Sequence, residues 1–406
     1  MAKRLKLMSP TAELAGGDTP SAVAAAPRCD PPKGRPTYLL LVDYVQVVSV
    51  EKDAKYPNNQ YFQGEAAVGR ILLQTTSSVQ QVKALQSVQA VLAFVMKCDD
   101  VVTEDESGVK QVAKLTMEAD WAPAMDLWKE HMRALRPGRF DEDAKPKFRG
   151  SCVRDGRHAY KSVAIAEEIG GDIHTQWHWP VDLSHFDLEV VCILLYQYAV
   201  VGISLADPEK IQYRNRMAAE DRTAVMNDSK YVSTLRPSTT YLMLQLAQYE
   251  LGDVLLDSMC GVGTIPICCA GFTHDQIFAL GGELESLPVE KAGQNAISSR
   301  PRNVDVLQWD STCLPLRSES VDKVIIDLPF GVNCGSARQL SKTYPKIMKE
   351  LYRVMRPTSR AVLLTTLKKT FKHAVGLVPW TVVATYDVNI GGLLGSIYVI
   401  DKRPSP

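Results

Sequence analysis

Residues 253–263 read D-V-L-L-D-S-M-C-G-V-G, and no other stretch limits the fold as strongly. Val254, Leu255 and Leu256 form a short apolar run, the pattern of a strand buried on both faces of a parallel sheet. Asp257 ends that run. Gly261 and Gly263 follow where a tight turn brings bare backbone close to a ligand, and residues 265–270 then read as helix. Strand, glycine turn and helix make the opening unit of a nucleotide-binding α/β domain. A G-x-G alone would suit an ordinary tight turn equally well.

A second signal lies at 322–331, D-K-V-I-I-D-L-P-F-G, another buried strand with an acid, a proline and an aromatic at its carboxyl end. Ligands of open α/β sheets bind outside the carboxyl ends of the strands. One glycine-rich strand end and one D-x-P-F strand end together resemble the S-adenosylmethionine-dependent methyltransferases that modify exocyclic amines.

At 406 residues the chain is long enough for two or three domains. Lys+Arg total 46 and Asp+Glu 46, so any nucleic-acid footprint must be local. The nine cysteines include no C-x-x-C pair, which argues against a zinc module and a disulfide framework and for reduced thiols; no metal ligands are assigned. No apolar run approaches the ~20 residues that span a bilayer. The amino terminus has no signal-peptide core, and Glu13 and Asp18 argue against a mitochondrial presequence. A soluble, cytoplasmic protein without membrane partners is expected, with the nucleus left open.

Residues 1–36, rich in Ala, Pro, Gly and Thr, read as a disordered tail. Residues 38–50 and 69–73 read as strands, 77–91 as an amphipathic helix carrying Val79, Val82, Leu85, Val88 and Val91, and 94–96 as a strand. Residues 110–136 are predicted mostly helical. Lys145, Lys147, Arg149, Arg154, Arg157 and Lys161 recur with Phe148 and Tyr160 among them, a candidate RNA-binding patch that would equally suit a solvated surface. Residues 148–153 read as strand and 159–169 as helix, closed by Gly170-Gly171 as a C-cap. Residues 188–195 and 199–205 read as a strand pair, 207–233 as a linker, and 236–249 as a helix with Pro237 near its start.

The motifs closely resemble those of the THUMP-domain-containing tRNA guanosine-N2 methyltransferases, and best the eukaryotic THUMP domain-containing protein 3 group. They are T-L-R-P-S from Thr234, D-S-M-C-G-V-G-T-I-P-I from Asp257, V-L-Q-W-D from Val306, L-P-L-R from Leu314, D-L-P-F-G from Asp327, R-A-V-L-L-T from Arg360 and N-I-G-G from Asn389. F-R-G-S-C at Phe148 and F-D-L-E-V-V at Phe186 resemble the THUMP module itself. The resemblance implies a degenerate ferredoxin-like domain at 37–100, a THUMP RNA-binding domain at 101–206, and a class I (Rossmann-like) methyltransferase domain at 234–403. The last should hold a seven-stranded, mostly parallel sheet whose final two strands form an antiparallel hairpin joined at Gly391-Gly392.

The resemblance also assigns roles. Asp257, Cys260, Gly261 and Gly263 would hold S-adenosylmethionine, with Arg236 and Ser238 framing its methionine end. Asp310 resembles the residue that contacts the adenine amine. Glu283 lies about 20 residues beyond the glycine turn, where an acid accepts hydrogen bonds from ribose hydroxyls; the family more often has Asp, and a surface carboxylate would fit the sequence too. Asp327, Leu328, Pro329 and Phe330 would perform the transfer. A carboxylate and a backbone carbonyl accepting the two N–H bonds of guanine N2 would raise its electron density and stabilise the positive charge that develops there. Phe330 would stack on the extruded base. Cys260 and Cys334 are read as packing residues, since no covalent intermediate is required. Asn389, Gly391 and Gly392 would border the base pocket or merely turn the chain.

One departure stands out: Val332 and Asn333 occupy positions where the family usually carries basic residues, which would weaken phosphate contacts. The implied substrate is tRNA, held by the THUMP module at its acceptor end, and the implied partner a small zinc-binding activator subunit. A small nuclear RNA is an alternative substrate, and a catalytically inactive RNA-binding scaffold an alternative of another class.

Overall fold

A computed structural model describes residues 37–42, 60–62, 70–211, 235–299, 301–331, 336–390 and 393–402. The expected tail at 1–36, most of the linker, Val332, Asn333, Cys334 and Gly391-Gly392 lie outside the described residues.

The described residues form two seven-stranded sheets. The first uses β1 (Thr37–Val42), β2 (Gln60–Phe62), β3 (Arg70–Gln74), β4 (Val88–Cys98), β5 (Phe148–Asp155), β6 (Leu188–Leu195) and β7 (Tyr198–Ser204), in the order β2-β3-β1-β4-β7-β6-β5. Residues 37–100 and 101–206, expected as separate modules, thus share one sheet across the antiparallel β4–β7 pairing. Helices α1 (Val79–Lys83), α2 (Ser107–Glu118), α3 (Ala122–Leu135) and α4 (Ser162–Trp177) cover one face over a core that runs from Tyr38 to Leu205, and Leu39, Leu72, Leu92, Val191, Ile193 and Leu195 form a second buried cluster of the same sheet.

Two elements correct the sequence reading. The helix expected over 77–91 stops after five residues. Ser78 and Gln81 form a capping box that starts α1, but Val88 and Val91 belong to β4, where β-branched side chains fit a pleated surface better than a helix. Gly170 and Gly171 do not end α4. The helix passes through both, because Ile165, Ile169 and Ile173 at four-residue spacing bury one continuous stripe on either side of them. The left-handed cap is His178, with φ 54°.

After α5 (Pro208–Ile211), the second sheet comprises β8 (Val254–Asp257), β9 (Phe278–Glu283), β10 (Val304–Gln308), β11 (Val321–Asp327), β12 (Met355–Thr365), β13 (Trp380–Ile390) and β14 (Leu393–Lys402). Its order is β10-β9-β8-β11-β12-β14-β13, with every strand parallel except β14, which pairs antiparallel with both β12 and β13. The expected mostly parallel sheet with a final antiparallel hairpin is therefore present. Helices α6 (Pro237–Ala247), α7 (Thr264–Phe272), α8 (Ser286–Ser299), α9 (Ala337–Val354) and α10 (Lys368–Gly376) pack against it. Alternation along β11 divides the core: Val324 and Ile326 face α9 and α10, whereas Ile325 faces α6 and α7. Each such side chain, fully withdrawn from water, stabilises the fold by about 1.5–3 kcal/mol. The consequence is a rigid sheet whose β8, β9 and β11 end side by side.

Candidate active site

Asp257, Glu283 and Asp327 are the last residues of β8, β9 and β11. Because β8 pairs in parallel with both β9 and β11, all three carboxylates emerge at one edge of the sheet. Asp257 is 1% exposed; its Oδ1 accepts the Met259 amide at 3.1 Å. Burial raises its pKa well above the carboxylate range, and the charges of Asp327 and Glu283 push in the same direction. Glu283 accepts the Gly261 amide at 3.0 Å and the Leu284 amide at 2.7 Å, so it ties the end of β9 to the glycine turn. Asp327 is the least satisfied of the three. Its Oδ1 is buried with no hydrogen-bond partner, and burial pushes its pKa up to about 7.

The turn between β8 and α7 depends on its glycines. Gly261 and Gly263 have φ of 53° and 86°, the left-handed region that favours glycine. A Cβ on Gly261 would meet nothing within 4 Å, so the turn faces open space there. The Cys260 thiol is buried against Gly281, and burial together with Asp257 and Glu283 pushes its pKa up, as suits a packing residue. Among the remaining residues assigned to the cofactor, Arg236 caps α6 and Ser238 is buried in its first turn. Asp310 is exposed just beyond β10, its Oδ1 accepting the Thr312 amide and hydroxyl, each at 2.8 Å.

Sequence reasoning missed Trp309. Its indole lies flat against Gly282, where a Cβ would come within 1.7 Å of the ring, and its Nε1 donates to the Ser258 carbonyl at 3.2 Å. Ser311 Oγ donates to the same carbonyl at 2.5 Å. The G-G in A-L-G-G-E, followed by a tryptophan one strand later, is the signal that could have found this contact.

In the D-L-P-F segment Leu328 is buried, its amide donating to the Leu364 carbonyl at 2.9 Å, while Pro329 and Phe330 are half-buried. Gly331 follows with φ 78°. Asn389 lies near the end of β13.

The basic patch divides. Lys145, Lys147, Arg154, Arg157 and Lys161 are exposed. Arg149 is not: its guanidinium donates to Glu189 at 2.6 Å, stacks on the Phe186 ring at 4.1 Å to the centroid, and is committed to the interior. The F-R and F-D-L-E segments singled out in the sequence are therefore two halves of one buried contact. Among the exposed residues, Arg157 lines a cavity of about 480 Å³ with Thr103, Gly156, Tyr196 and Gln197.

Adjacent strand ends, a glycine turn and an antiparallel terminal hairpin define the class I methyltransferase fold, and residues 226–396 match the family described as UPF0020, RMKL-like, methyltransferase domain. Over 283 residues the chain is 35% identical to the Bos taurus tRNA (guanine(6)-N(2))-methyltransferase THUMP3, covering 65% of this chain and 53% of that protein. It is 31% identical over 222 residues to the Mus musculus U6 snRNA (guanine-N(2))-methyltransferase THUMPD2, covering 53% of this chain and 38% of that protein. The chain thus spans about half the length of its THUMP3 relative and less of its THUMPD2 relative. TrmN from Thermus thermophilus shares the fold across 90% of this chain and 99% of its own, with TM-score 0.68 and 19% identity. Both sheets therefore belong to a known arrangement, and the family match falls in its C-terminal part.

Proposed function

We propose that the protein transfers a methyl group from S-adenosylmethionine to the exocyclic N2 amine of a guanosine in tRNA. One observation carries this reading: three carboxylates converge at neighbouring strand ends, and the one whose Oδ1 is buried and unpartnered opens a D-L-P-F segment. The similarity to tRNA guanine-N2 methyltransferases supports the same substrate class.

The site suits the cofactor. S-adenosylmethionine carries a sulfonium and an ammonium group, and the Asp257–Glu283 edge offers acids rather than bases. The open space above Gly261 admits a chain close to the backbone. In this reading Asp257, the Cys260–Gly263 turn, Arg236 and Ser238 hold the methionine end, Glu283 accepts from the ribose hydroxyls, and Asp310 turns its free carboxylate oxygen to the adenine amine. The bound cofactor would supply an electrophilic methyl carbon, its methyl–sulfur bond breaking with the electron pair left on sulfur as a neutral thioether. Phe330 stacks on the extruded base and Pro329 stiffens the segment. Asp327, ionised, accepts an N–H of the guanine amine, stabilises the positive charge developing on nitrogen, and takes the proton released as the new N–C bond forms.

The N-terminal sheet, read as ferredoxin-like and THUMP units, holds the acceptor end of the RNA through Lys145, Lys147, Arg154, Arg157 and Lys161. A small zinc-binding activator subunit and a cytoplasmic location complete the proposal, both resting on family resemblance. Among the described residues no helix is long and apolar enough to cross a membrane. Methyl transfer from labelled S-adenosylmethionine to total tRNA tests the reading, with Asp327→Ala as control and with and without the activator. Label in N2-methylguanosine that vanishes in the variant is expected. Cofactor binding without transfer to tRNA would overturn the substrate. The similarity to U6 snRNA methyltransferases then makes small nuclear RNA the next acceptor to assay. Failure to bind the cofactor would leave an RNA-binding scaffold.

A further inference from the structure

The segment that carries Asp327 is held from behind. Tyr344 lies on α9, is fully buried, and donates its hydroxyl proton to the Pro329 carbonyl at 2.8 Å. Its oxygen lies 3.0 Å from Thr365 Oγ1, at the fully buried end of β12. Thr365 Oγ1 in turn accepts the Leu367 amide at 3.0 Å. Each hydroxyl has one proton to give, so only one direction satisfies the chain. Leu367 N–H donates to Thr365, Thr365 O–H to Tyr344, and Tyr344 O–H to Pro329. Aligned donors of this kind strengthen one another.

One residue earlier, the Leu328 amide is fixed to the Leu364 carbonyl at 2.9 Å. The backbone on both sides of the Leu328–Pro329 bond is therefore pinned to β12 and α9. Asp327 Oδ1, at the head of this segment, is buried without a partner. A segment that had merely to pack would not need its frame satisfied while its one carboxylate oxygen stays bare.

We propose that Tyr344, oriented by Thr365, is a positioning residue for methyl transfer, fixing the Pro329 carbonyl so that Asp327 and Phe330 keep one disposition toward the acceptor base. The inference rests on the methyltransferase reading above. It concerns the acceptor side only, because the β8–α7 turn makes no hydrogen bond to this relay.

Tyr344→Phe keeps the ring in the core but leaves the Pro329 carbonyl and the Thr365 hydroxyl each short of a partner. Turnover at saturating RNA is expected to fall about tenfold, while cofactor affinity and the KM for cofactor stay at the wild-type value. Thr365→Val should reproduce the loss and Thr365→Ser restore most of it. A loosened segment admits water around Asp327, so the rise of rate with pH should move to lower pH in Tyr344→Phe. Hydrogen exchange at the Leu328 amide gives a readout that needs no RNA and should be faster in the variant. A folded Tyr344→Phe with wild-type turnover and wild-type exchange at Leu328 would overturn the proposal. Should Tyr344→Phe fail to fold, Thr365→Val decides by the same two measurements. Should the wild type transfer no methyl group to any RNA, the functional reading falls and the positioning role with it, and exchange at Leu328 then shows only whether Tyr344 holds the segment.

Discussion

At Asp327 burial does two opposing things. It holds the proton on the carboxyl up to about pH 7, and it sharpens the charge once that proton leaves. The proposed reaction needs the ionised form, so turnover should rise with pH through about 7. Asp327→Asn should lose that rise and roughly 10²-fold in kcat. Stability moves the other way. A raised carboxyl pKa means the native state binds the proton more tightly than the unfolded chain, so the stabilisation is complete below about pH 4. It is lost as pH climbs through about 7. Urea midpoints of Asp327→Asn and wild type, compared at pH 5 and pH 8, should therefore diverge in the variant's favour at pH 8; a constant difference would contradict the burial argument. Arg149 shows where residue-level reading failed. In the sequence it stands among surface cations, and nothing local separates it from Lys147 or Arg154. Its pairing with Glu189 joins two strands 40 residues apart in the chain. Removing one member of such a buried pair costs about 3–5 kcal/mol. Arg149→Met should thus lower the denaturation midpoint sharply, and Arg149→Met combined with Glu189→Leu should recover much of the loss.

Elements with a strong local signal were legible. The runs that became β8 and β11 are short, apolar and closed by an acid. The helix ends were less so, because they depend on partners the chain does not show locally. Gly170-Gly171 has the composition of a C-cap, yet the Ile165–Ile169–Ile173 stripe supplies more burial energy than two glycines withhold. The two interpretations differ in sign. At a left-handed cap alanine is strained; inside α4, where a Cβ at either position meets nothing within 4 Å, Gly170→Ala and Gly171→Ala should each stabilise by about 0.5–1 kcal/mol. Gly282 on β9 is the contrasting case. A Cβ there would sit 1.7 Å from the Trp309 ring, so Gly282→Ala must displace the indole and break its bond to Ser258. Overpacking of this kind costs about 1–3 kcal/mol. Thermal melts of the three variants should show two increases and one decrease, and titration with S-adenosylmethionine should find weaker binding only in Gly282→Ala.

Across the whole molecule, the exposed cations and the continuous sheet lead to separate expectations. Lys145, Lys147, Arg154, Arg157 and Lys161 should act through phosphates. Alanine at Arg157 and Lys161 would then weaken RNA binding at every sequence and lower the salt slope by about 0.7–0.9 for each phosphate no longer neutralised, leaving turnover at saturating RNA unchanged. The sheet raises a different question, whether the residues before and after 100 are two folding units or one. β4 lies between β1 and β7, and Val88, Val91, Ala93, Val95 and Met96 of β4 belong to the same core as Phe148, Ile165 and Val201. Glu130 on α3 also accepts the Val79 amide that opens α1, at 3.0 Å. Cutting at residue 100 would expose the whole β7 edge and strip one wall from that core. Unpaired backbone and bare apolar surface both oppose folding. A fragment of residues 101–206 should therefore stay unfolded or aggregate, whereas residues 37–211 should melt in one transition with coincident circular dichroism and tryptophan fluorescence. A folded, monomeric 101–206 fragment would mean that the β4–β7 pairing joins two cores already complete. The surface proposed to hold the RNA would then be hinged between two bodies, not carried on a single sheet.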